Sequence, residues 1–212
     1  MGQAAHHPGI SGQASALANP FLLQDEDHQA IASAQDFVRL FEAGEWAPHA
    51  LRLEESEILH DLASSDPGQH VKLEGLITGF KKKASFALAS ALHSVAPGLD
   101  VVIVVDTHGI PFHCYLRHRI SGLLLDAQGV QTPARELARW TATLKDSNTT
   151  LKSVSVDEIW FYGRFSDKYP EPTLQQFGYL AEFMSQNAHQ LAQAPSLRFV
   201  PKEHELPDPW CL

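Results

Sequence analysis

Val101-Val-Ile-Val-Val105, Pro111-Phe-His-Cys-Tyr-Leu-Arg-His118 and Gly122-Leu-Leu-Leu-Asp-Ala127 are the three runs on which the reading of this chain turns. The first is continuously β-branched, as expected of a strand covered on both faces. The other two are strand-length segments joined near Ser121-Gly122, and His108-Gly109 marks the turn before them. Helical patterns flank these strands without the strand–helix–strand alternation of a parallel sheet. The order predicts an α+β fold with an antiparallel sheet.

The helices follow from apolar spacing. Over residues 25–43, Ile31, Ala34, Phe37, Val38 and Phe41 recur every three to four positions behind Asp25, Glu26 and Asp27, and Gly44 closes the segment. A second helix is expected over about 52–64, broken by Asp66-Pro67-Gly68. A longer one is expected over about 71–95, interrupted near Gly79. Its second half, Ser85-Phe-Ala-Leu-Ala-Ser-Ala-Leu-His93, is small or apolar on every side, so it is a central, buried helix. Thr132-Pro133 opens a helix to about 145, with Glu136 read as the partner in a capping box. A strand is expected over 154–164, where Trp160, Phe161, Tyr162 and Phe165 cluster. A last helix, over 172–192, carries Leu174, Phe177, Leu180, Ala181, Met184 and Ala188 on one stripe. Residues 1–24 read as a leader too polar and small to bury much, 25–200 as one α+β domain, and 201–212 as a tail.

Composition excludes several classes. The chain has 25 acidic and 16 basic residues among 212, a net charge of −9, the wrong sign for a nucleic-acid binder. Its two cysteines, Cys114 and Cys211, are too few for a disulfide scaffold or a four-cysteine zinc module. No apolar run reaches the roughly 18–20 residues needed to span a bilayer. The start lacks a basic segment followed by an apolar one, so no cleaved signal peptide is expected. Gly2 suits a myristoylation site, but His6 stands where serine or threonine is preferred. The expected setting is cytoplasmic, or export without a cleaved signal.

The hairpin concentrates the polar residues. With Cys114 and Leu116 on one face of the first strand, His113, Tyr115 and Arg117 share the other. Burying Leu123 and Leu125 beside Cys114 and Leu116 puts Asp126 on the same face as His113. A four-residue loop over 118–121 sets His113 directly opposite Asp126. A loop of only Ser121-Gly122 leaves them four residues out of step, roughly 13 Å apart. In the closer register the carboxylate orients the imidazole, the base–orienter half of a triad. A partly exposed structural pair, worth less than about 1 kcal/mol, is the plainer alternative.

Residues 85–140 resemble a group of bacterial and phage proteins of papain-like, cysteine-peptidase type. In that pattern a buried helix begins with cysteine and ends Ala-x-Ala-Leu-His, here Ser85 to His93. A turn of the form Asp-x-x-Gly-x-Pro-x-His follows, here Asp106 to His113, and then a strand pair ending Asp-Ala-x-Gly, here Asp126 to Gly129. The resemblance implies a papain-like core over about 71–165, with a central buried helix packed on an antiparallel sheet between flanking helices. It also implies a site of Ser85, His113 and Asp126, with His113 as general base, Asp126 orienting it, and hydrolysis or deamidation of a peptide, amide or thioester as the chemistry.

Ser85 departs from the pattern, which expects cysteine there. Cys114 points away from His113 by strand parity, and Cys211 lies in the tail. Three readings stay open: a working serine nucleophile aided by the helix end and by Lys81, Lys82 and Lys83; an engineered replacement of cysteine; or an inactive site whose fold is kept for binding a protein or peptide. No cofactor is expected. Nor is a metal site at Asp106, His108, His113 and His118, whose spacing fits no helical ligand pair and whose last two members have opposite strand parity.

Overall fold

The computed structural model describes residues 25–46, 51–54, 56–162 and 170–193. Five strands, β1 (Asp100–Val105), β2 (Pro111–Arg117), β3 (Leu124–Asp126), β4 (Gly129–Gln131) and β5 (Thr150–Val154), form one sheet in the order β4-β3-β2-β1-β5. Every pairing is antiparallel. Eight α-helices accompany it among the described residues: α1 (Asp25–Ala43), α2 (Glu57–Ser65), α3 (Pro67–Gly79), α4 (Ser85–Val95), α5 (Pro133–Leu144), α6 (Val156–Tyr162), α7 (Pro170–Gln186) and α8 (Ala188–Gln193). The fold is α+β, as the order of patterns predicts. No helix among the described residues is long and apolar enough to cross a membrane.

The alternation of side chains along β1 divides the core in two. Val101, Ile103 and Val105 join Cys114, Leu116 and Leu125 on one face, packed with Leu88, Ala89 and Leu92 of α4 and with Phe177 and Leu180 of α7. Val102 and Val104 join Tyr115 and Leu124 on the other, under Trp140 of α5. The β-branched run is therefore covered on both sides. Each such side chain contributes about 1.5–3 kcal/mol of transfer free energy when fully buried.

Several local expectations need correction. Of the segment 154–164, the described part beyond Val154 is not a strand. β5 ends at Val154, and Ser155 then caps α6: its amide donates to Glu158 Oε2 (2.7 Å), and its Oγ accepts from the Glu158 amide (3.2 Å). This reciprocal Ser-x-x-Glu box is a helix-start signal that outweighs the β preference of the aromatic run behind it. Thr132 makes no side-chain cap bond, and Glu136, read as its box partner, turns into the core instead. The second helix starts at Glu57 rather than near 52. Before it, the Leu53 amide donates to Gln128 O (3.0 Å), and the Val130 amide donates to Leu51 O (2.7 Å). Leu51 lies so close over Gly129 (φ +108) that a Cβ there would meet its carbonyl. Asp66 both ends α2 and caps α3 through the Gln69 amide (3.0 Å). The interruption expected near Gly79 is a π-helical turn, Phe80–Ala84, leading directly into α4. The leader, the tail, Phe165, Trp210 and Cys211 lie outside the described residues.

Candidate functional site

His113 and Asp126 meet as a buried pair. The register lies between the two considered from sequence: Leu116 faces Leu125, and the His118 amide donates to Leu123 O (2.9 Å), so residues 119–122 make the turn. Gly122 supplies its positive φ of 74°. Asp126 thus falls across from Tyr115, and His113 lies diagonally, two residues away. The imidazole spans that gap, with Nε2 2.9 Å from Asp126 Oδ2. The second carboxylate oxygen accepts from the Gln128 amide (2.9 Å). Burial pushes the Asp126 carboxyl up. The His113 hydrogen bond, with the charges of His113, Arg52 and Arg139, outweighs that and holds it below its ordinary range.

His113 is only 1% exposed. Its ring lies 4.5 Å from the Tyr115 ring and 5.5 Å from that of Trp140, measured between centroids. Nδ1, the nitrogen left free by Asp126, is buried and has no hydrogen-bond partner among the described residues.

A second polar cluster adjoins the pair. Glu136, fully buried on α5, accepts from Arg52 Nη1 through Oε1 (2.6 Å) and from Arg139 Nη2 through Oε2 (2.6 Å). The Tyr115 hydroxyl donates to Glu136 Oε2 (2.5 Å) and accepts from Trp140 Nε1 (2.8 Å) and Arg139 Nη2 (3.1 Å). Burial, reinforced by Glu136, pushes the Tyr115 phenol well above its ordinary value, which keeps its proton on the bond to Glu136. Burial alone would lower the Arg139 guanidinium; Tyr115, Glu136 and Asp126 reverse that and raise it. Sequence reasoning missed this cluster. The signal for it was the spacing of Glu136, Arg139 and Trp140, which places all three on one helix face.

Ser85 is buried on α4, and α4 packs on the sheet face that carries Cys114 and Leu116. His113 projects to the opposite face, beside Tyr115 and Trp140. No hydrogen bond joins Ser85 to His113, whose Nδ1 has no partner. The structure therefore brings two of the three expected site residues together and joins the third, on the helix that packs on the other face, to neither of them by a hydrogen bond that it shows. The field expected at Ser85 also differs from the sequence reading. Helical backbone precedes it through the π turn, so it is not the first residue of a free helix end. Lys81 is engaged by Glu54 at 3.1 Å. Cys114 is buried on the α4 side, and burial pushes its thiol far up, away from the reactive thiolate.

The four residues weighed as metal ligands are dispersed. Asp106 Oδ1 accepts from the His108 and Ile110 amides (2.8 Å each), closing the β1–β2 turn. His118 bonds Ser121 Oγ through Nδ1 (2.8 Å), its ring edge-on to Phe41. Among the described residues, no three His, Cys, Asp or Glu side chains converge as ligands.

Compared with protein-family models, with curated proteins and with solved structures, the chain matches none of them.

Proposed function

We propose that this chain is a non-catalytic binding module, in which the histidine and carboxylate of a hydrolase-like hairpin serve the core rather than acyl transfer. One arrangement carries the reading: α4, which bears Ser85, packs on the sheet face opposite His113, no hydrogen bond joins the two residues, and His113 is enclosed by Tyr115 and Trp140. A general base must reach the proton it abstracts, within about 2.6–3.2 Å or through one water. Here Nε2 is occupied by Asp126 and Nδ1 faces the interior. The likeness of residues 85–140 to papain-like proteins supports a related segment, and the geometry weighs against a shared mechanism. The net charge of −9 favours a protein or peptide partner of basic character over nucleic acid.

A fluorophosphonate probe separates this reading from a serine hydrolase. Wild-type protein and the Ser85→Ala variant are expected to label equally weakly. Labelling that disappears in Ser85→Ala would make Ser85 an activated nucleophile and overturn the proposal. Iodoacetamide on a Ser85→Cys variant gives a second readout, with alkylation expected to be slower than that of an exposed thiol.

A further inference from the structure

The two edges of the sheet are finished differently. β4 is sealed: the Val130 amide donates to Leu51 O (2.7 Å), the Leu53 amide donates to Gln128 O (3.0 Å), and Arg52 bridges to Gly129. β5 ends the sheet on the other side, and among the described residues no backbone group bonds its outer edge. Alternate residues of an antiparallel edge strand bond the inner neighbour, and the residues between them turn their N–H and C=O outward. Such a row is a template for one more strand. Thr150, Lys152 and Ser153 are exposed along it.

The side chains of β5 specify what an added strand would carry. Leu151, opposite Val104, is half-buried against the Trp140 cluster. Val154, opposite Val101, is half-buried against the core on the α4 side. Each keeps a flank that an apolar residue on a neighbouring strand would cover. Lys152, opposite Ile103, is the one charged residue of β5. Glu158, whose carboxylate feels the Lys152 charge, is already bonded to the Ser155 amide (2.7 Å). An ammonium in the middle of an edge strand opposes pairing with a second copy. Antiparallel self-pairing centred on β5 sets Lys152 against Lys152, and a slip that avoids this leaves part of the strand unpaired. A foreign strand with a carboxylate at that position meets no such obstacle. The net charge of −9 favours basic residues on either side of it.

We propose that the outer edge of β5 is the docking site for an extended segment of a partner protein, added antiparallel, with an acidic residue opposite Lys152 and apolar residues opposite Leu151 and Val154. Main-chain bonds supply the attachment and the Lys152 pair fixes the register. This names the partner surface of the binding-module reading and rests on it. The two fail separately, because fluorophosphonate labelling reports on Ser85 and peptide docking reports on β5.

An end-capped, fluorescein-labelled peptide, Lys-Val-Thr-Glu-Val-Thr-Lys, tests the proposal by anisotropy with the full-length chain. Its glutamate falls opposite Lys152 when its valines face Val154 and Leu151. Saturable binding is expected. Lys152→Glu is expected to weaken it at least about threefold, and a peptide with lysine in place of its glutamate should recover the loss. A peptide with proline at both threonines should not bind, since proline cannot donate to the ladder. Saturating peptide is expected to slow hydrogen exchange of the β5 amides at least about tenfold, with α4 unchanged. Absence of binding, equal binding of the proline peptide, or unchanged β5 exchange would each overturn the proposal. So would β5 protection without peptide that vanishes on dilution from a dimeric mass, which would make a second copy the occupant. Equal affinity of Lys152→Glu for both charged peptides would overturn the assigned register.

Discussion

His113 Nε2 and Asp126 Oδ2 stand 2.9 Å apart with neither side chain more than 2% exposed. A pair this enclosed has no high-dielectric solvent to share its charge with. Its consequences are those of a core element.

Asp126 makes stability depend on acid. Its carboxyl is held below the ordinary aspartate value of 3.8 in the folded state. Its contribution is therefore present above that value and is lost as pH falls below 3.8 toward the folded value. Asp126→Asn should cost about 2–4 kcal/mol near neutral pH. The gap to wild type should narrow at about pH 3, because there the unfolded chain binds a proton that the folded Asp126 carboxylate still resists. Urea midpoints at the two pH values measure this.

Glu136 holds two buried guanidinium groups, those of Arg52 and Arg139. Glu136→Gln keeps the shape and removes the charge, at an expected cost of about 3–5 kcal/mol. Tyr115→Phe removes only the hydroxyl and should cost about 1–3 kcal/mol. The two changes share partners, so the double variant is expected to lose less than the sum. Thermal or urea unfolding of the four proteins closes the cycle.

Two glycine-to-alanine changes should have opposite signs. At Gly178 a Cβ would collide with the Ala30 carbonyl, where α1 and α7 cross. Gly178→Ala should destabilise by about 1–3 kcal/mol despite the better helix propensity. At Gly75, exposed on α3, a Cβ meets nothing within 4 Å. There alanine should stabilise by about 0.5–1 kcal/mol. Comparing the unfolding midpoints of the two variants tests both.

Cys114 should be inert in the native protein, since it is buried and its thiol is pushed far up. In a Cys211→Ser variant, which leaves it as the sole cysteine, a thiol reagent should react only after denaturant is added. Prompt native labelling would mean that β2 opens readily.

The sequence carried the local structure well wherever a single periodicity was uninterrupted. The 25–43 helix, the β1 run and the two faces of the hairpin all follow from it, because burying one side of a helix or strand leaves its mark at every third or second position. It carried less at competing signals. Ser155 and Glu158 write a helix start directly before an aromatic run that favours a strand, and the cap prevails. The three residues of β4 are too short to show a period.

By itself, the sequence determined the α+β class and the shared face of His113 and Asp126, through strand parity alone. Which side of the sheet α4 packs on was decided only by tertiary structure, and so was the absence of a hydrogen bond between Ser85 and His113. Helix periodicity says that Ser85 is on a buried helix, but not which face of the sheet that helix covers. The same holds for Glu136, Arg52 and Arg139. Charged residues enter a core only where partners distant in sequence arrive to neutralise them, and those meetings are made by packing.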